Sequence, residues 1–446
     1  MNNILVIGAG RSSSALINYL KNNAATEQWQ IRLADFDIAL AEEKAENHPA
    51  VQCVQFDILN TLQTRDEIKK ADLVISMLPA RYHKLVAEVC VDQSKHMVTA
   101  SYCDEDITAL SDIAKGQNTL ILMECGLDPG IDHMTAMASI HDIKEKGGAL
   151  TSFKSFTGGL IAPEYDNNPW NYKFTWNPRN VVLAGQGTAR FIRNGRYKYI
   201  PYHQLFKRLE SISISGLGEF EGYPNRDSLS YRQTYGLDNI PTLLRGTIRK
   251  VGYSEAWNIF VQLGITDDSF KVEALDTLSH RDFLNAFLRY DNITSVEAKL
   301  CAYTGITKES AVFKKIAWLG LFDDKPLPVK EGTPAQVLQA IMETKMSLAA
   351  GDKDMIVMQH KFEYHSAGKQ YERISSIVAL GEDEQITAMA KTVGLPMGIA
   401  VKYILNGRIN LRGVQVPTQK EIYEPILEEL TKLGISISEH EEEINF

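Results

Sequence analysis

The sequence has no uninterrupted apolar run approaching the roughly 18 to 20 residues that cross a bilayer, so a transmembrane helix and a membrane partner are not expected. It has no surplus of positive charge. Its 47 Lys and Arg stand against 56 Asp and Glu, a formal charge of −9, and the general attraction that draws proteins to DNA, RNA or anionic lipid is therefore missing. It has no CxxC pair, and its five cysteines (Cys53, Cys90, Cys103, Cys125, Cys301) are odd in number. Disulfide frameworks and zinc sites need paired thiols at short spacing, which points to a reducing, cytoplasmic compartment. The opening MNNILVIGAGR lacks a basic n-region and is interrupted by Arg11, so it reads as a first strand and not as a signal peptide. There is no internal repeat or low-complexity tract, and the one charge block, HEEE at 440–443, reads as a solvated tail.

What is present suggests about three domains, at roughly 150 residues each. Through residue 127, short Val, Ile and Leu runs alternate with amphipathic segments: ILVIG (4–8), IRLAD (31–35), VQCVQFD (51–57), DLVISMLP (72–79), HMVTAS (96–101) and TLILMEC (119–125). Such strands, each followed by a crossover, predict an α/β fold with a doubly wound parallel sheet. After Asp128 the texture turns to Gly, Pro, Asn and aromatics (TGGLIAPEYDNNPWNYKFTWNPRN, 157–180), then to β-like RYKYI and SISIS, which predicts an α+β domain with long functional loops. Residues 254–351 carry apolar side chains at three and four spacing, as in a helical subdomain. DMIVMQHKFEYH and RISSIVAL then return the chain to the second domain, at about 352–384. From Ile386 to Leu405, Ile386, Met389, Val393, Met397, Ala400 and Ile404 form one stripe. That stripe suits a helix, kinked at Pro396, packing back on the first domain. The expected parts are thus 1–127 completed by about 385–446, then 128–253 with about 352–384, and 254–351.

Gly8-Ala9-Gly10-Arg11-Ser12-Ser13 follows an apolar strand and opens a helix at ALINYL, the context that makes a glycine pattern a dinucleotide site. Gly8 allows the tight turn, Gly10 admits the pyrophosphate, and the helix amino terminus offers N–H groups to phosphate. Ser13 stands where a third glycine is usual. Asp35 ends the next strand about 20 residues on, where a carboxylate accepts from the ribose 2′-hydroxyl and repels a 2′-phosphate. NAD is favoured and NADP remains possible; the competing reading makes Asp35 a turn residue beside Asp37. Asp57 is placed either near the adenine or in a turn. Leu78, after the fourth strand, and Ala100, Ser101 and Tyr102, after the fifth, lie at the carboxyl edge where ligands bind. Gly126 and Leu127, directly after the sixth, join the cofactor set. Asp128, Asp132 and His133 are metal-ligand types, but their spacing fits no ligand pattern and no metal is expected; Asp132 reads as a helix cap.

The ordered motifs GxGxx(small), SMLP, VTASY, GLDPGIDHM, TGGLIAPEYDNNPWNYKFTW, EGYPNRDS and LLRGTIR resemble the saccharopine dehydrogenases of the L-glutamate-forming type, strongly to about residue 260 and again in KTVGLP, RGVQVPT and YEPIL. The resemblance implies a homodimer of three parts, a variant Rossmann domain, an α/β substrate and dimerisation domain and a helical domain. It also implies reversible NAD(P)-dependent oxidation of saccharopine to glutamate and α-aminoadipate semialdehyde. The substrate contacts it implies fall on Ser101, Tyr102, Asp128, Arg226, Thr247, Ile248 and Arg249. The chemistry suits these residue types. Saccharopine carries three carboxylates, for which Arg226 and Arg249, with Arg245 possible, are suitable clamps because a guanidinium binds bidentately. Hydride loss beside a secondary amine needs a proton relay, assigned to Tyr102 and Asp128 with water. The family has cysteine where this chain has Thr157, a hydroxyl that does not titrate near pH 7. Two other readings are weighed: a carboxyspermidine-type dehydrogenase, whose cationic substrate the arginines disfavour, and a non-catalytic NAD-binding regulatory protein.

Overall fold

A computed structural model of the chain describes residues 1–444, so the last two residues of the expected closing segment to 446 lie outside the described residues. The fold divides into two compact units, Met1–Leu150 with Tyr364–Phe446, and Thr151–Glu363.

The first unit is built on β1 (Asn2–Ile7), β2 (Trp29–Asp35), β3 (Val51–Gln55), β4 (Leu73–Ser76), β5 (His96–Val98) and β6 (Leu120–Leu122), all parallel and ordered β3-β2-β1-β4-β5-β6. Ile4, Leu5, Val6 and Ile7 are all fully buried, as a continuous apolar run must be when helices cover both sheet faces. Strand order reverses at β1, between β2 and β4. This opens a crevice at the carboxyl ends of the strands, the usual ligand position in such sheets.

In the second unit the strands are β7 (Ala149–Ile161), β8 (Thr188–Arg193), β9 (Arg196–Pro201), β10 (Glu210–Ile214), β11 (Gly218–Pro224), β12 (Thr242–Lys250) and β13 (Asp354–Ser366). β12 pairs antiparallel with β11 and parallel with β7, aligning Tyr223, Thr247 and Thr157 in one row. Strand alternation puts Arg245, Thr247 and Arg249 on one face of β12 and Leu244, Gly246 and Ile248 on the other. A Cβ on Gly246 would lie 2.4 Å from the Phe156 ring, so glycine there is what lets that ring pack on the strand. Helices fill the 254–351 region as expected, at Tyr253–Leu263, His280–Ala286, Val296–Thr304, Ala311–Trp318 and Pro334–Met346.

The aromatic stretch 157–180 departs from expectation. It begins inside β7, and Trp170, Tyr172 and Phe174 are buried in the core. Trp170 donates its indole N–H to the Lys315 carbonyl at 2.8 Å, and Lys173 is buried in an ion pair with Asp352 at 2.7 Å. This irregular segment is held inside by burial of its rings and by the bonds of Trp170 and Lys173, and is not a surface loop.

The chain returns to the first unit through β14 (Lys369–Leu380), β15 (Gly413–Gln415) and β16 (Ile437–Glu443). The sequence reading had put residues 364–384 and the helix Ile131–Glu145 with the second domain, whereas the fold groups both with the first unit. β15 adds a seventh parallel strand beside β6. The helix Ala388–Leu405 passes Pro396 without a break, and a Cβ on Gly394 or Gly398 would crowd Leu16 or Tyr19 of the helix Ser14–Glu27. It is buried nearly all round and not along one stripe, while Ile386 lies outside it. By length and composition it is apolar enough to cross a membrane, which corrects the expectation that no segment qualified; most of it is buried within the protein, as a core helix is.

The HEEE block is exposed, as its charge suggested, but it is not a free tail, because it forms β16, antiparallel to β14. Arg373 sits directly opposite Glu441, donating to it at 2.6 Å and to Asp142 at 2.7 Å, while Lys369 pairs with Glu443 and Ser375 donates to Glu439. Burial opposes their ionisation, yet the hydrogen bonds from Arg373 with Lys146 to Asp142, and with Tyr364 to Glu441, hold both carboxyls below their usual range. Depressed carboxyl pKa values stabilise the fold above the unfolded values, near 4, and that benefit is lost as pH falls through the lower folded values. Arg373→Met is expected to destabilise the protein by about 1–2 kcal/mol at pH 7, a buried-pair loss reduced because both carboxylates are partly solvated. In melts run from pH 7 to pH 3 the gap from wild type should close at the acid end; a constant gap would show that these charges are not its source.

Candidate functional site

The turn after β1 is shaped by its neighbours. Gly8 has φ +107°, and a Cβ there would lie 3.1 Å from the Met77 carbonyl oxygen, so only glycine fits without strain. Around Gly10 no atom lies within reach of a Cβ. The N–H groups of Gly10, Arg11 and Ser12 meet no acceptor among the described residues, and a short 3-10 turn at Arg11–Ser13 leads into the helix Ser14–Glu27. Free N–H groups at a helix start are what a pyrophosphate requires. Ser13 is buried and donates its hydroxyl to the Gly10 carbonyl at 2.8 Å, which explains a small polar residue in the third position. Asp35 accepts from the Ala9 N–H at 2.6 Å and from the Asp37 N–H at 2.9 Å. The turn reading of Asp35 is thus real, and the carboxylate braces the phosphate turn as well as ending β2. Next to it Phe36 is 74% exposed, an unsheltered ring at the nucleotide edge that the sequence reading passed over. Asp57 accepts from the Leu59 N–H at 2.9 Å and serves a turn.

At the ends of β5 and β6, Ala100 fixes what can follow. A Cβ on Gly126 would lie 2.7 Å from that of Ala100, and one on Gly130 would lie 2.1 Å from the Gly126 carbonyl oxygen. The GLDPG segment therefore closes on itself, Gly126 N–H donating to the Pro129 carbonyl. Leu127 is thereby buried and Asp128 left half-buried. Asp132 lies in the first turn of the helix and not at its cap, which is Gly130; its carboxylate accepts from the Gly130 N–H at 2.6 Å. His133 Nε2 lies 2.7 Å from Glu124, whose other oxygen accepts from the Cys103 N–H. Asp132 and His133 are thus committed to holding the loop, and no group of three or more metal-ligating side chains stands among the described residues. Tyr102 is 54% exposed, and Leu78 is half-buried. Ser101 Oγ lies 2.6 Å from His83 Nε2, a partner that the sequence reading missed.

In the second unit, Arg249 is 3% exposed and has the rings of Tyr172, Tyr253 and Tyr223 at 5.1, 5.3 and 5.9 Å. Its Nη1 donates to the Ile248 carbonyl, its Nε has no partner, and no carboxylate pairs with it among the described residues. Glu221, opposite it on β11, accepts instead from the Gly252 and Ser254 N–H groups. Burial pushes the Tyr172 and Tyr253 phenols up, so they remain neutral. A buried guanidinium stays charged and is costly without an anion. On the same face, Thr157 Oγ1 is buried without a hydrogen-bond partner and Thr247 donates to Asn225 at 2.7 Å. Arg245 is buried over the Tyr231 ring at 3.7 Å. Arg226 is exposed and makes no ion pair among the described residues. The Ile248 side chain faces the core, and its backbone lies beside Arg249. The tyrosine cage is scattered over three segments, which is why spacing did not reveal it.

Residues 4–122 match the saccharopine dehydrogenase NADP binding domain, and residues 126–435 match the saccharopine dehydrogenase C-terminal domain. The chain belongs to the saccharopine dehydrogenase family. It is 30% identical to saccharopine dehydrogenase [NADP(+), L-glutamate-forming] of Schizosaccharomyces pombe, covering 98% of this chain and 99% of that protein. It is 35% identical to the mitochondrial alpha-aminoadipic semialdehyde synthase of Rattus norvegicus, covering 97% of this chain but 47% of that protein, about half its length. The apo structure of saccharopine dehydrogenase (L-Glu forming) from Saccharomyces cerevisiae superposes with a TM-score of 0.90 at 30% identity, covering 99% of this chain and all of that one. The homospermidine synthase of Legionella pneumophila, at 10% identity and a TM-score of 0.55, shares the fold alone.

The saccharopine dehydrogenase nucleotide domain is described as NADP-binding, whereas the carboxylate at Asp35 had favoured NAD. Removing that charge lowers the repulsion of a 2′-phosphate. Asp35→Ser is therefore expected to shift the ratio of kcat/KM for NADP over NAD by about ten-fold towards NADP, with some loss for both because the Ala9 brace goes with it. An unchanged ratio would show that Asp35 only holds the turn.

Proposed function

We propose that the protein is a saccharopine dehydrogenase of the L-glutamate-forming type, oxidising saccharopine with NADP, or NAD, and water to glutamate and α-aminoadipate semialdehyde. The observation that carries this is the buried Arg249, a charge held ready for an anion the chain itself does not provide. Saccharopine brings three carboxylates, and Arg249 and Arg226 are suited to two of them. A cationic polyamine substrate would meet these arginines repulsively, which disfavours the carboxyspermidine reading.

The nucleotide, when bound, supplies a hydride acceptor. The N–H groups of Gly10, Arg11 and Ser12 take its pyrophosphate, and Asp35, Leu78, Ala100, Gly126 and Leu127 frame the rest. Asp128 attracts the substrate ammonium by charge, and Tyr102 with water carries away the proton that must leave before the amine lone pair can assist C–H cleavage. Loss of hydride from the adjacent carbon makes an imine; water adds to it, and the C–N bond breaks to release glutamate. Thr157 cannot titrate in this range. Its buried, unpartnered hydroxyl is suited to hydrogen-bonding the substrate, which leaves proton handling to Tyr102 and Asp128. A homodimer in a reducing, cytoplasmic compartment belongs to the same proposal, and the five free thiols support the compartment.

Purified protein supplied with saccharopine and either nucleotide should generate the absorbance of reduced nicotinamide. No turnover with either nucleotide, together with oxidation of a spermidine-type carboxyamine, would overturn the reading.

A further inference from the structure

Ser101 lies three residues past β5 at the carboxyl edge of the sheet, and its hydroxyl is not a free rotor. Its Oγ lies 2.6 Å from His83 Nε2, while His83 Nδ1 lies 2.9 Å from Ser76 Oγ at the end of β4. His83 opens the helix His83–Asp92 and is 1% exposed. Burial pushes its imidazole down to about 4, against a hydrogen bond to the Leu78 carbonyl and the nearby Asp104, so the ring is neutral in the working range. A neutral imidazole has one N–H and one bare nitrogen. With that hydrogen on Nδ1, donated to Ser76 Oγ, Nε2 is bare towards Ser101; with it on Nε2, Ser101 would accept instead. The backbone of Ser101 is fixed as well, its N–H donating to Thr99 Oγ1 and its carbonyl accepting from the Glu124 N–H.

We infer that His83 is a positioning residue: its Nε2 takes the Ser101 hydroxyl hydrogen, so that Ser101 meets the ligand only as an acceptor and selects an N–H donor. Within the function proposed above, on which this rests, that donor is the secondary amine of the substrate. A freely turning serine could instead donate its hydrogen to the oxygen of an ether analogue. A serine committed in this way presents only lone pairs and loses an interaction with a ligand that has no donor in place of the N–H. His83 contacts no reacting atom in this account and acts through Ser101 alone.

A double-mutant cycle tests it. His83→Phe fills the same space without hydrogen bonds, and Ser101→Ala removes the hydroxyl. Each single change should lower kcat/KM for saccharopine about ten-fold, as for one hydrogen bond. Nucleotide KM should stay within about two-fold of wild type, and the double variant should be no worse than Ser101→Ala alone. Multiplying losses, no loss in His83→Phe, or a loss confined to nucleotide KM would overturn the inference. Nitrogen-15 NMR of the wild-type ring gives a second readout that needs neither substrate nor a folded variant. The Nδ1–H tautomer with an unprotonated Nε2 supports the arrangement, and the Nε2–H tautomer overturns it. Absence of saccharopine turnover in wild type would count against the proposed function and leave the tautomer to decide the role of His83.

Discussion

A guanidinium enclosed by three tyrosine rings with no carboxylate beside it is the constraint around which the second unit is organised. Transfer of an ion from water into the protein interior costs several kcal/mol, and three ring faces at more than 5 Å return about 0.5–1 kcal/mol each. The unliganded protein therefore holds Arg249 at a net cost that an arriving carboxylate removes. That is how a site stores affinity: the cation is ordered and desolvated before the ligand comes. The strand register that opposes Glu221 to Arg249 would invite an ordinary ion pair. The Glu221 carboxylate is diverted to the N–H groups that open the next helix, and the arginine is left for another anion.

The first unit answers a different electrostatic problem. A protein with a formal charge of −9 must bind a dinucleotide that is itself anionic. The unsatisfied N–H groups at Gly10, Arg11 and Ser12 offer backbone dipoles that need no side-chain cation. Asp35 adds a carboxylate near this turn, yet its oxygens are engaged by Ala9 and Asp37, so part of its charge is spent locally. A net negative charge thus leaves room for small anions, which are bound one group at a time.

How much of this was legible follows from what each signal measures. The parallel strands were plain because runs such as ILVI and LVIS are apolar at every position, a pattern that burial on both faces dictates. β15 is three residues long and carries no such run, so only pairing with β6 defines it. The exposure of the HEEE block was plain from its charge, but its strand was not, because Arg373 lies about 70 residues earlier and meets Glu441 only through strand register. In the candidate site, Gly8, Gly10 and Asp35 were readable from local spacing. That the Ile248 side chain faces the core was not legible from a motif of three consecutive residues, which ignores the alternation that sends the middle one inward. His83 and the tyrosine cage were invisible for the reverse reason, since their partners come from separate segments.

The account stands on Arg249 being a charge kept for a ligand and not for the fold. The direct measurement is the melting temperature of Arg249→Met beside wild type, each with and without saccharopine. The predicted result is a variant that melts at or above wild type when unliganded, because removal of an unpaired buried charge is neutral or stabilising, while saccharopine stabilises wild type and leaves the variant unchanged. A variant that melts several degrees lower, yet is stabilised by saccharopine as much as wild type, would contradict it and make Arg249 a structural member of the aromatic core.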